Sequence, residues 1–128
     1  MTRYSLLVAT VLALVAVAVA QASRTASTVT VTAGKPSEFK FALSLKSVPH
    51  GTVTFKVTNK GALGHDFKIC SAPAKTAAAT TCTGKGTGVL TSGTKTLKVT
   101  FKKAGLYEYL CSVPGHAAAG MKGLLKVT

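Results

Sequence analysis

Tyr109-Leu110-Cys111-Ser112-Val113-Pro114-Gly115-His116-Ala117-Ala118-Ala119-Gly120-Met121 is the stretch on which the reading of this chain turns. It spaces a thiol, an imidazole and a thioether as Cys-x4-His-x4-Met. In Tyr107-Glu108-Tyr109-Leu110-Cys111, a period of two sets Cys111 on the face of Tyr107 and Tyr109, as on a strand with one face inward. After the loop, Met121 shares parity with Leu125 and Val127. Cys111 and Met121 are thus expected at the core end of two adjacent strands, with His116 on the loop between them. A fourth donor, His65, opens the distant segment Gly64-His65-Asp66-Phe67-Lys68-Ile69. Such a loop can close on one metal ion.

Working outward, more strands precede this pair. Val29 to Ala33 alternates, and Gly34-Lys35-Pro36 signals a turn. Phe39, Phe41, Leu43 and Leu45 alternate with Lys40, Ala42 and Ser44. Val53, Phe55 and Val57 form the inward face of a third strand, and Phe67 and Ile69 that of a fourth starting at His65. Leu97, Val99 and Phe101 mark a further one. Between Ser71 and Gly93 the periodicity stops, and only Ala77-Ala78-Ala79 suggests a helical turn. Seven short strands at a spacing of roughly eight to twelve residues, without a convincing helix, predict an all-β Greek-key sandwich or barrel.

The 128 residues amount to one domain. Arg3, the apolar run Leu6 to Ala20 and the small residues Ala18-Val19-Ala20 fit an export signal over 1–22, cleaved after Ala20 or Ala22. An uncleaved anchor is the alternative. The expected product is one domain over 23–128, periplasmic or extracellular, not inserted in the membrane, and a monomer.

Basic residues dominate. The formal net charge is +13, and loss of Arg3 with the signal leaves +12. Fourteen of the 16 basic residues are lysines, scattered singly along polar faces, without an arginine cluster or an aromatic platform. That argues against nucleic acid and for a solvated surface that steers acidic partners.

Three cysteines leave one over after a single disulfide. Cys70 and Cys82 flank the aperiodic stretch, and pairing them would staple it and leave Cys111 free. A free thiol in an oxidising compartment is a liability unless ligated. An intermolecular disulfide through Cys111 would not account for the His and Met beside it. Singly, Met121 reads as core filler, His116 as a surface loop residue and His65 as a strand-edge residue. Jointly, two His, one Cys and a Met are the donor set of a copper site that passes electrons. His50, in a Pro-Gly turn, is expected to be solvent-exposed.

Tyr109 to Met121, together with Gly64-His65-Asp66-Phe67, resembles the cupredoxins, the type 1 blue-copper family that includes plastocyanin, azurin, auracyanin and rusticyanin. The loop spacing is similar to that of the rusticyanin and sulfocyanin branch. The resemblance implies a Greek-key sandwich of seven or eight strands and one copper per chain. His65, Cys111 and His116 would be equatorial ligands and Met121 the weak axial one. Where many members have Asn after the first ligand His, this chain has Asp66, expected to brace Ser112 and to lower the reduction potential. Leu63, Pro114, Gly115, Ala117, Ala118, Ala119 and Gly120 would form a small apolar docking patch over His116. The implied partners are redox proteins with acidic surfaces, of the cytochrome or copper/haem oxidase class.

Other classes fit less well. A copper-handling protein would carry Met- and His-rich clusters, whereas Met121 is the only Met after the signal. A multicopper oxidase or nitrite reductase fragment needs more His than the three present. A metal-free adhesion module would leave Cys111 without a purpose. No acid/base pair suggests an enzyme.

Overall fold

β1 (Ser27–Ala33) turns Val29, Val31 and Ala33 inward, and β4 (Gly51–Asn59) does the same with Val53, Phe55, Val57 and Asn59. The computed structural model describes residues 26–128. The expected signal segment over 1–22 lies outside them. β1 and β4 pair in parallel, setting Val29 opposite Phe55 and Val31 opposite Val57. β2 (Phe41–Leu43) and β7 (Thr94–Phe101) flank them, giving a first sheet in the order β2-β1-β4-β7. Its outer face is threonine and lysine. Hydroxyls there pair across strands, Thr52 with Thr100 at 2.9 Å and Thr58 with Thr94 at 2.7 Å.

The second sheet runs β3-β9-β8-β5-β6, from β3 (Ser47–Val48), β5 (Lys68–Pro73), β6 (Gly84–Gly86), β8 (Gly105–Leu110) and β9 (Lys122–Val127). Between the sheets, Phe67 meets Phe41 edge-on and lies tilted against Phe55 and Tyr109, with centroids 5.2, 5.3 and 5.5 Å apart. Such rings carry the core: removing one to Ala costs about 3–5 kcal/mol.

Nine strands form among the described residues where seven were expected, and the differences have local causes. Phe39 to Leu45 is a strand only over Phe41–Leu43, because the turn closed by Gly34 N–H to the Lys40 carbonyl carries Phe39 out of the sheet. Leu45 stays exposed as the chain crosses to the second sheet, where β3 pairs with β9. The His65 segment begins as an isolated bridge to Leu90, not as a strand. No helical turn forms at Ala77–Ala79: the Ala78 and Ala79 carbonyls accept from Lys122 Nζ, and Ala79 N–H donates to Glu108. His50 is exposed as expected, its ring contacting the Thr128 carbonyl.

Candidate metal centre

The four donors meet at one end of the sandwich. β8 delivers Cys111 directly after Leu110, and the chain returns into β9 directly after Met121. The neck of the loop is closed by Cys111 N–H to the Met121 carbonyl, 3.0 Å. Inside it, His116 N–H donates to Val113 and Met121 N–H to His116. These backbone bonds fix the direction of the imidazole. His65 arrives from the connection between the two sheets, anchored by reciprocal bonds with Leu90 at 3.0 and 2.7 Å.

His65 Nδ1 lies 3.1 Å from His116 Nδ1, and Cys111 Sγ lies 3.5 Å from the same nitrogen. The ligating atoms of His65, Cys111 and His116 all fall within 4.8 Å of one another. His65, Cys111 and Met121 have no exposed surface, whereas His116 is partly exposed. Met121 packs with Cys111 and Ala33, and Phe39, Phe41 and Val113 close around them. Phe39 meets the His116 ring edge-on at 5.0 Å.

Burial makes the Cys111 thiol a poor acid. It pushes the pKa up to about 11; the Asp66 and Val113 amides oppose that rise and the Asp66 carboxylate adds to it. Desolvation, with His65 next to it, holds His116 below the ordinary imidazole range. An imidazole kept neutral is a ready metal donor. Asp66 accepts from Ser112 N–H at 2.5 Å and from the Ser112 hydroxyl, bracing the residue that follows Cys111. Cys70 and Cys82 form a disulfide, and Cys111 is the free cysteine of the described residues.

Residues 25–128 match the family of copper-binding proteins that contains plastocyanin and azurin. The chain belongs to that family. Its nine-stranded sandwich is the cupredoxin fold, and the His65, Cys111, His116 and Met121 cluster fits one type 1 copper. Auracyanin B is 26% identical over 80% of this chain and 89% of its own, with a TM-score of 0.65. Dithionite-reduced auracyanin of the photosynthetic bacterium Roseiflexus castenholzii is 27% identical over 80% and 98%, at 0.59. Rusticyanin of Thiobacillus ferrooxidans is 27% identical over 79% and 76%, at 0.63. No curated protein sequence matches.

Two site details depart from the sequence reading. Ala117, expected on the docking patch, is buried against Leu110 and Cys70 on the far side of β8, because the turn rotates it away from solvent. Leu63, Pro114, Gly115, Ala118 and Ala119 are exposed, and Gly120 is partly so. The second departure is Glu38, which sequence reasoning counted only as a charge. His65 Nε2–H donates to its Oε1 at 2.7 Å. Leu63 N–H reaches the same oxygen at 2.9 Å and Ala62 N–H reaches Oε2 at 3.0 Å. The two amides, and after them His65, hold the Glu38 carboxyl down at about 2. Its one hint in the sequence is rarity: the chain has three acids, and two of them stand beside this centre.

Proposed function

We propose that this cupredoxin is an exported one-electron carrier and not an enzyme. The observation that carries the reading is the asymmetry of the donor set: three donors fully buried and one imidazole, His116, reaching the surface. Copper held by these residues supplies a Cu(I)/Cu(II) couple, since thiolate and thioether suit the reduced ion and imidazole the oxidised one. The protein's part is rigidity. The closed neck at Cys111 and Met121, the Leu90 bridge at His65 and the Asp66–Ser112 brace keep the donors in place, so little moves when the charge changes. Phe39 and Val113 exclude water from the sulfur ligands.

The exposed edge of His116 gives the electron its exit. Around it, Leu63, Pro114, Gly115 and Ala118 offer small apolar surface, suited to brief contact with a redox partner. The lysine-rich surface favours partners with acidic faces and sets the rate of encounter. Export is supported by the apolar N-terminal run and by the disulfide, which belongs to an oxidising compartment.

Titration of the purified domain with Cu(II), followed by visible absorption and EPR, tests this directly. The expected result is an intense thiolate-to-copper band with narrow hyperfine splitting, absent in Cys111→Ser. A pale complex with ordinary splitting, indifferent to that substitution, would overturn the reading. Stopped-flow reduction should also slow with rising ionic strength when the partner is acidic.

A further inference from the structure

His65 has two ring nitrogens, and the structure commits both. Nδ1 faces His116 and Cys111, while Nε2 lies 2.7 Å from Glu38 Oε1. An ionised carboxylate only accepts hydrogen bonds, so Nε2 of His65 carries a proton in this contact, and Nδ1 is the nitrogen left to offer a lone pair to a metal. Glu38 is itself held from two further directions, by the backbone amides of Ala62 and Leu63. The surroundings are shaped for this contact. A Cβ on Gly61 would lie 2.5 Å from Glu38 Oε1 and 2.8 Å from His65 Nε2, so a larger residue there would push the carboxylate off the ring.

We propose that Glu38 is a positioning residue of the copper centre: it locks His65 in the metal-binding tautomer and, through its charge, biases the site toward Cu(II). A carboxylate on the outer nitrogen of a ligating imidazole fixes the ring and raises its basicity, and loss of such a partner typically costs 10–100-fold in metal affinity or activity. The bias toward Cu(II) follows because the extra negative charge favours the more highly charged ion. Glu38 also accepts from the amides of Ala62 and of the exposed Leu63, so the docking edge and the ligand share one anchor.

The inference rests on the copper reading above, and the test separates the two. The copper-loaded protein and Glu38→Gln, which removes the charge but keeps the shape, are poised against redox mediators while the visible band is followed. The Cu(II):Cu(I) affinity ratio should fall about tenfold in the variant, which for a one-electron couple is a rise of about 59 mV in potential. Gly61→Ala, which pushes the carboxylate off the ring while leaving Glu38 in the chain, should move the potential the same way. On metal-free protein with 15N-labelled histidine, two-bond proton–nitrogen correlations should give a single Nε2–H tautomer for His65. In Glu38→Ala they should give a mixture.

An unchanged or lower potential in Glu38→Gln, or a single Nε2–H tautomer persisting in Glu38→Ala, would overturn the proposal. A wild-type chain that takes up Cu(II) without an intense band would instead overturn the copper reading. The tautomer measurement, made without metal, would then still decide the Glu38–His65 contact.

Discussion

Two loops of this cupredoxin each carry cysteine, and use it in opposite ways. The loop from Cys111 to Met121 is closed by backbone bonds and keeps its thiol free, buried and aimed at two imidazoles. The excursion between Cys70 and Cys82 is closed covalently and aims its sulfurs at nothing else. The two lie back to back, since Cys70, Leu110 and Ala117 form one buried cluster with Cys82 beside it. The same element thus serves chemistry on one side of β8 and anchorage on the other. What separates the two roles is whether a cysteine's nearest partner is another cysteine or a histidine.

The largest break in that comparison is Cys111→Ser. It should abolish the visible band completely and leave the metal-free sandwich folded, as read by absorption and circular dichroism. Cys70→Ser with Cys82→Ser is the converse. Opening a loop of this size should destabilise by about 3 kcal/mol in denaturant titrations, with the visible band intact. Loss of the band in that double variant would mean that the excursion supports the metal loop more directly than their shared cluster implies.

Asp66→Asn should have a smaller effect. It weakens the charge-assisted bonds to Ser112, with an expected cost of about 1 kcal/mol. It should also raise the reduction potential, and an unchanged or lower potential would refute a charge effect at this position. Acid titration should give the gentlest signal. The Glu38 carboxyl is held at about 2 in the fold, against an ordinary value of 4.5. Its share of stability is therefore complete above that ordinary range and fades as the pH falls from there toward 2. Metal-free Glu38→Gln should accordingly lose less stability over that interval than the wild type does.

Much of the first sheet was legible because its strands have one dry and one wet face. Val29 and Val31, Val53, Phe55 and Val57, and Leu97 with Phe101 announce that period directly. The donors were legible for a different reason: Cys111, His116 and Met121 are close in sequence, and cysteine parity singles out Cys111. β3 and β6 were not legible, since two or three residues such as Ser47–Val48 or Gly84–Gly86 have no period to read. They exist because a neighbouring edge is available. At Gly84 a Cβ would collide with the Ile69 carbonyl at 1.9 Å, so pairing geometry chose the residue, and hydrophobicity had no part in it. Glu38 was hidden because it meets His65 across 27 positions, through a turn whose shape no local pattern encodes. Ala117 misled because an alanine run carries no polarity to say which member turns inward.

The placement of the cysteines along the chain also bears on how an unfolded molecule sorts its thiols. Cys70 and Cys82 are 12 residues apart, whereas Cys111 is 29 residues from the nearer of them and 41 from the other. Encounter frequency in a flexible chain falls as about the 3/2 power of separation, so the short pair meets roughly four to six times as often as either meets Cys111. Oxidation before folding is therefore already biased to the correct bridge. Once the strands pair, burial removes Cys111 from competition altogether, and the thiol reserved for the metal is protected first by statistics and then by packing.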